Sequence, residues 1–395
     1  MPQYDFTTLV DRSAHGSAKW EAMKEINPNV PAGIAPLSVA DVDIRNAPEI
    51  IEGLKQCLDD TVLGYTQPTA AYVDAVVGWM RRRHEWNVHP EWIRQSPGVV
   101  PGFFAAVKAF TGPGDGVIVQ TPAYYPFYMA LEYNRRELAR NPLKIVDGQY
   151  RIDYDHLEQL AREPRNKVLL FCSPHNPTGR VWTREELQRV ARIAVDNDLV
   201  LISDEIHFDL VMPGHRHTVM ATLGEDIARR TITCTAPSKS FNLAGMGASN
   251  IIIADEALRT RFAAEQDATG VFFLTTLGYA ACELAYTRGE AWLAEFIQLI
   301  AHNHALVKRW FAEHFPQLHV FDLEGTYLQW IDFRPLGIDA DEMERINTQQ
   351  AHLFFDEGKV FGEDGAGFER INLATPTHVL EAALERLGKA YGATG

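Results

Sequence analysis

Basic side chains are in deficit. The chain has 37 lysines and arginines against 52 aspartates and glutamates, a formal net charge of −15, with no long run of either sign. Such a surface argues against a nucleic-acid partner, for which a basic footprint is expected. Cysteine is scarce as well, and Cys57, Cys172, Cys234 and Cys282 lie far apart. That spacing excludes a disulfide framework and suits a reducing compartment. No uninterrupted apolar run approaches the length of about 18 residues that marks a membrane span. The opening Met1-Pro2-Gln3-Tyr4-Asp5-Phe6 has no basic region followed by an apolar one, so no secretory leader is expected and the expected location is cytoplasmic. Repeats and low-complexity segments are lacking too. Apolar material is ample, at 46 % of 395 residues, enough for a large domain and a smaller one.

Prolines 28, 31, 36 and 48 break up the first fifty residues, leaving at most one short strand within 35–43. Pro48 suits the first turn of a helix. A second helix is expected from about Ala70 to Glu85, with Val73, Val76, Val77 and Met80 on one side. An alternation follows. A helix opens after Gly98 and runs through Phe104, Val107 and Phe110, and apolar strands are expected at 116–120, 167–172, 199–203, 231–235 and 250–254. Thr183 and Glu186 form a capping box for a helix carrying Leu187, Val190, Ala191 and Ala194. Continuous apolar strands separated by helices predict an α/β fold of three layers, with a mostly parallel sheet covered on both faces. Helices at 272–287 and 290–311 lead into strands at 318–323, 327–332 and 368–373 and helices at 341–355 and 376–389, an α+β pattern. The expected division is an N-terminal segment, 1–48, packing with the small domain, a large ligand-binding domain, 49–289, and a small C-terminal domain, 290–395.

Parallel sheets bind ligands at the carboxyl ends of their strands, and polar residues of complementary kinds stand there. Lys239 lies in Ala236-Pro237-Ser238-Lys239-Ser240-Phe241-Asn242-Leu243-Ala244-Gly245, directly after the run Thr231–Thr235. Burial favours the neutral form of an amine, which is useful if the amine must bond to a carbonyl; taken alone, the decapeptide also fits a surface lysine at a strand end. Asp204 follows the run 199–203. Asn176 sits in Ser173-Pro174-His175-Asn176-Pro177-Thr178-Gly179, a good turn in any protein. Tyr124 follows Thr121-Pro122. The helix after Gly98 begins with unsatisfied amides suited to an anion. Together these meet the needs of pyridoxal 5′-phosphate: an amine for its aldehyde, an anion for the ring nitrogen, a donor for the phenolate oxygen, a helix end for the phosphate and an aromatic over the ring. No metal is expected. His207, His215 and His217 with Asp209 are spaced loosely like ligands, but 212–217 reads as an exposed loop of solvated histidines. Gly362, Gly365 and Gly367 read as a flexible loop, since no phosphate-loop context surrounds them.

These segments carry a resemblance over nearly the whole chain. With Asp11-Arg12, Ser17-Ala18-Lys19-Trp20, Val39-Ala40-Asp41-Val42-Asp43, Gly64-Tyr65, Ser203-Asp204-Glu205-Ile206-His207 and Arg370-Ile371-Asn372-Leu373-Ala374, the sequence resembles fold-type I pyridoxal-phosphate enzymes of the aspartate aminotransferase superfamily. Within it the chain is similar to the cystathionine β-lyase-like branch of bacterial carbon–sulfur lyases, the MalY/PatB group. The resemblance implies that Lys239 bonds to the cofactor aldehyde and moves the substrate proton, that Asp204 pairs with the ring nitrogen, and that Asn176 donates to the 3′-oxygen. It implies that Tyr124 stacks on the ring and could protonate the departing sulfur, and that amides near Val99 and Val100 hold the phosphate with the Ser238 hydroxyl. Arg370 would clamp the substrate α-carboxylate, and Tyr65 would reach the neighbouring subunit's phosphate in a homodimer. His207 stands where aminotransferases commonly carry a cofactor-contacting tyrosine, and Gly247 where they often carry a phosphate-binding arginine; both favour the lyase branch. Ser38, Val42 and Ile44 depart from that branch's usual residues, which bears on substrate choice if they line the entrance.

The implied reaction is β-elimination from L-cystathionine or another S-substituted L-cysteine, giving a thiol, pyruvate and ammonia. An aminotransferase shares every step up to loss of the α-proton and is the alternative. A non-catalytic binding or regulatory protein on the same fold is the third reading, disfavoured by the presence of Lys239, Asp204 and Arg370 together.

Overall fold

The computed structural model describes residues 3–392. Met1 and Pro2, which open the segment read as lacking a leader, and the last three residues of the expected small domain lie outside them. Thirteen strands occur among the described residues: β1 Ile93–Ser96, β2 Gly116–Thr121, β3 Glu137–Pro142, β4 Lys144–Val146, β5 Gln149–Arg151, β6 Asn166–Cys172, β7 Val200–Asp204, β8 Thr231–Thr235, β9 Ser249–Ile252, β10 His319–Val320, β11 Leu328–Asp332, β12 Asp356–Glu357 and β13 Phe368–Asn372. Seven form one sheet in the order β1-β9-β8-β7-β6-β2-β3. The run from β8 to β3 is parallel, and β9 is antiparallel to both of its neighbours. β2, β6, β7 and β8 are buried along almost their whole length because helices cover both faces. Phe103, Val107 and Phe110 of the helix Val99–Phe110 pack with Leu170, Ile202 and Ile232 on one face; Leu157, Leu187 and Val190 pack with Leu169 and Leu201 on the other.

Two helix starts fall where the sequence predicts. Pro48 occupies the first turn of Pro48–Asp60. The capping box is complete: Glu186 N–H donates to Thr183 Oγ1 (3.2 Å) and Thr183 N–H to Glu186 Oε2 (2.8 Å). In the helix Ala70–His84 the buried stripe is rotated from the expected one. Val76 and Met80 are buried, but Tyr72, Ala75 and Trp79 complete the stripe in place of Val73 and Val77. The indole of Trp79 stacks on Tyr286 at 5.0 Å, and the large aromatics, with more area to bury, set the rotation.

A second sheet, β10-β11-β13-β12, is antiparallel throughout. The 25-residue helix Glu290–His314 leads from the large sheet to this one. Several expected elements change here. The strand at 318–323 shortens to two residues, and the helix expected over 341–355 is Ala340–Arg345 followed by the wide turn Ile346–Gln350. The helix expected from 272 starts at Thr276, where the Thr275 side chain caps it. Residues 35–43 form no strand. They cross as an irregular strap tied to the second sheet by Leu37 N–H to Phe354 O and Asn372 N–H to Leu37 O. No described helix is long and apolar enough to cross a membrane.

Candidate active site

Strands β1, β2, β6, β7 and β8 all run toward one end of the large sheet, and the segments that follow them converge on one cavity, open at its mouth. Its walls include Gly98, Val99 and Val100 after β1, Tyr124 after β2, Asn176 after β6, Asp204 and His207 at the end of β7, Ser238 and Lys239 after β8, and Arg370 from β13 of the second sheet. Of the residues given a catalytic, cofactor or substrate role from the sequence, Tyr65 stands apart from this cavity. It is fully exposed, with Val62 and Leu63 exposed just before it in sequence and the exposed Phe273 ring 6.3 Å away.

Lys239 is carried on the single turn Pro237–Ser240, with proline at the first position. Its side chain opens on the cavity and its amine donates to the Ala40 carbonyl at 2.7 Å. Burial, and then the nearby positive charge of Arg370, bring its pKa down to about 8. Asp204 is buried and takes one hydrogen bond from the described residues, from Ile206 N–H at 3.1 Å. With so little compensation, burial pushes its carboxyl up to about 7, against the opposing pull of Lys239. Its register partners on either side are Cys172 and Cys234, thiols that burial holds protonated.

Asn176 Oδ1 accepts from Arg370 Nη1 at 2.7 Å, which turns the amide so that Nδ2, without a partner among the described residues, is its free end. His207 is buried beside Tyr327, held neutral by burial and by the positive charges of Lys239 and Arg370, and its Nδ1 has no partner among the described residues. The helix Val99–Phe110 begins without a side-chain cap, so its first amides are free for an anion. Burial raises the Tyr124 hydroxyl above its ordinary range, keeping it protonated.

Arg370 is gripped on three sides. Asp356 Oδ2 accepts from Nε (3.2 Å) and Nη2 (2.5 Å), Asn176 holds Nη1, and the Phe361 ring lies 4.6 Å from the guanidinium carbon. Phe361 belongs to the glycine-rich loop expected to be flexible, and that expectation fails. A Cβ on Gly358 would sit 1.9 Å from the Gly365 carbonyl and one on Gly365 would sit 2.1 Å from that of Gly358, so the loop closes tightly on itself. The Phe361 carbonyl then accepts from Ala123 N–H (3.0 Å) and the Tyr128 hydroxyl (2.7 Å), docking the loop beside Tyr124.

Sequence reasoning missed Asp356, Phe361 and the strap residues Val39 and Ala40, which complete the site. Asp356 becomes visible only through strand pairing, opposite Arg370. The strap is pinned by Asp41 and Asp43, which share buried Lys19 (3.1 and 2.8 Å) and Arg12 (3.0 and 3.1 Å). Val42 and Ile44 face away from the Lys239 cavity and border a second, more open one beside Asn242–Met246; Ser38 borders neither. The 212–217 loop is not simply solvated: His217 is buried and paired with Glu205 at 2.7 Å, while Asp209 accepts from Trp79, His84 and Ser240.

The chain belongs to the aminotransferase class I and II family, which it matches over residues 35–387. It is 38 % identical to cystathionine β-lyase PatB of Bacillus subtilis across 98 % of this chain and 99 % of that protein. The crystal structure of cystalysin from Treponema denticola, which contains pyridoxal 5′-phosphate, superposes with a TM-score of 0.97 at 52 % identity, covering 98 % of both chains. The pyridoxal-phosphate-bound C-S lyase of Staphylococcus hominis superposes with a TM-score of 0.91 at 29 % identity, covering 98 % of each chain.

Proposed function

We propose that this protein is a pyridoxal-phosphate-dependent carbon–sulfur β-lyase acting on L-cystathionine or related S-substituted L-cysteines. The observation that carries the reading is the convergence of Lys239, Asp204, Asn176 and Arg370 on one cavity, in a chain whose relatives are named cystathionine β-lyase and C-S lyase over almost their full length.

The donor set fits the cofactor. Lys239 offers an amine made partly neutral by burial, Asp204 a buried carboxylate short of partners, Asn176 a free amide donor and His207 an unpartnered ring nitrogen. The free amides at Val99 and Val100 and the Ser238 hydroxyl suit a phosphate, and Tyr124 supplies an aromatic wall. When bound, the cofactor supplies a conjugated ring that stores the electron pair left by loss of the α-proton.

The chain's own residues do the rest. Arg370 binds the α-carboxylate and fixes the amino acid's orientation. Lys239 would hold the cofactor through its aldehyde, and its free amine would take the α-proton and deliver it to the departing sulfur. A pKa of about 8 leaves part of the amine neutral near physiological pH, as a general base requires. Ala40 O holds the amine within reach of the cavity. Asp204 keeps the ring nitrogen positive, and Tyr124, protonated throughout, packs on the ring and stands as a second donor to the sulfur.

The working unit is a homodimer in which Tyr65 reaches the phosphate of the neighbouring site. Its complete exposure beside exposed Val62, Leu63 and Phe273 supports this. Residues 49–289 form the cofactor-binding domain and 290–395 the small domain, with the N-terminal segment 1–48 packing with the small domain. Four free cysteines support a reducing, cytoplasmic setting.

Transamination is the competing reading, favoured by the family as a whole. Purified, cofactor-loaded protein given L-cystathionine alone should release thiol, pyruvate and ammonia over many turnovers. Turnover that requires an added keto acid would replace the lyase reading with transamination.

A further inference from the structure

Four charged side chains line the cavity: Lys239, Asp204, Arg370 and Asp356. Under the reading above the first two serve the cofactor. The remaining two are bonded to each other. A guanidinium has five N–H donors. Here Nε and one hydrogen of Nη2 go to Asp356 Oδ2, and one hydrogen of Nη1 goes to Asn176 Oδ1. One hydrogen is left on each terminal nitrogen, the pair from which a two-point bond to a single carboxylate is made.

Arg370 can therefore seat one substrate carboxylate, while its charge is already offset for any further anion. Asp356 is fixed in that role. The same Oδ2 accepts Val39 N–H at 3.0 Å, and strand pairing sets the residue opposite Arg370. The flank behind it is acidic as well: burial, and then Glu357 and Asp356, push Glu344 up to about 7. No cation other than Lys239 and Arg370 borders the cavity among the described residues, and His207 is neutral.

We propose that Asp356 is a specificity-determining residue that admits the α-carboxylate to Arg370 and rejects amino acids whose side chain carries a second negative charge, so that the preferred substrates are S-substituted cysteines with a neutral or zwitterionic leaving group. The substrate half of this inference rests on the lyase reading. The charge discrimination rests on the cavity alone.

The test compares two thioethers of nearly identical shape, S-carboxymethyl-L-cysteine and its neutral amide, S-carbamoylmethyl-L-cysteine, with the cofactor-loaded wild type and Asp356→Asn. Asparagine keeps an oxygen to accept from Arg370 and Val39 but removes the charge. The wild type should favour the amide in kcat/KM, and the variant should narrow that ratio about tenfold or more, chiefly through the KM of the carboxymethyl substrate. Calorimetric titration with succinate and its monoamide reads the same discrimination without turnover, and again the gap should close in the variant. Equal use and equal binding of both members of each pair by the wild type, or a ratio that Asp356→Asn leaves unchanged, would overturn the role of Asp356. If neither thioether yields pyruvate while the calorimetric gap is present and closes in the variant, the lyase reading fails and the charge discrimination stands.

Discussion

Replacing Asp204 with asparagine should stabilise the cofactor-free protein above neutral pH while destroying its activity. The carboxylate is 3 % exposed with one hydrogen bond, and burial raises its pKa from 3.8 to about 7. Three pKa units at 1.36 kcal/mol each correspond to about 4 kcal/mol. The sign follows from proton occupancy. Between about pH 4 and pH 7 the folded state holds a proton that the unfolded state has lost, so stability falls as pH rises through that window. The full cost stands above it. Asparagine does not ionise and escapes the loss. Urea denaturation of cofactor-free wild type and Asp204→Asn at pH 4, 6 and 8 should show a stability difference that moves in the variant's favour by up to about 4 kcal/mol between the two ends. A difference independent of pH would refute the assignment of a buried, under-compensated carboxylate. The cofactor should reverse the ranking, because a positive ring nitrogen gives Asp204 the partner it lacks, so loading should stabilise the wild type far more than the variant.

Arg370→Lys keeps the charge but loses the two-point bond, and kcat/KM should fall about 100-fold, mostly through KM, in steady-state assays. Lys239→Ala should no longer exchange the α-proton of L-alanine in D2O, followed by proton NMR, whereas the wild type should. If Tyr65 completes the neighbour's site, Tyr65→Ala and Lys239→Ala subunits, each inactive alone, should recover about a quarter of the wild-type rate when dissociated and reassociated together, since half of the dimers are mixed and each of those has one intact site. Removing Lys19, buried between Asp41 and Asp43, leaves the two carboxylates with Arg12 as their one cation, and Lys19→Ala should cost up to about 3 kcal/mol in urea denaturation.

The parallel core of the sheet was legible because β2, β6 and β7 carry apolar runs, and β8 a β-prone run of threonine, isoleucine and cysteine, each ended by a polar or proline-containing turn, and chemistry concentrates after such runs. β1, with Arg94 and Gln95, and β3, with Glu137, Arg140 and Asn141, are the edges of the sheet; charges that protect an edge also hide it from a pattern reader. The antiparallel course of β9 leaves no trace in its composition. The strap at 35–43 was misread because its conformation is imposed from afar, by Lys239 and Tyr327 on the Ala40 carbonyl and by Asn372 on those of Val39 and Asp41. His217 looked solvated because its partner, Glu205, is twelve residues away along the chain. Asp356 was invisible for the same reason: its meaning lies in what stands across the strand.

The most direct test of the account is borohydride reduction of the cofactor-loaded protein followed by peptide mapping. A single pyridoxyl-modified lysine, Lys239, is expected, in the peptide that contains Ala236-Pro237-Ser238. Modification of a different lysine, or a cofactor that washes away unattached, would contradict it.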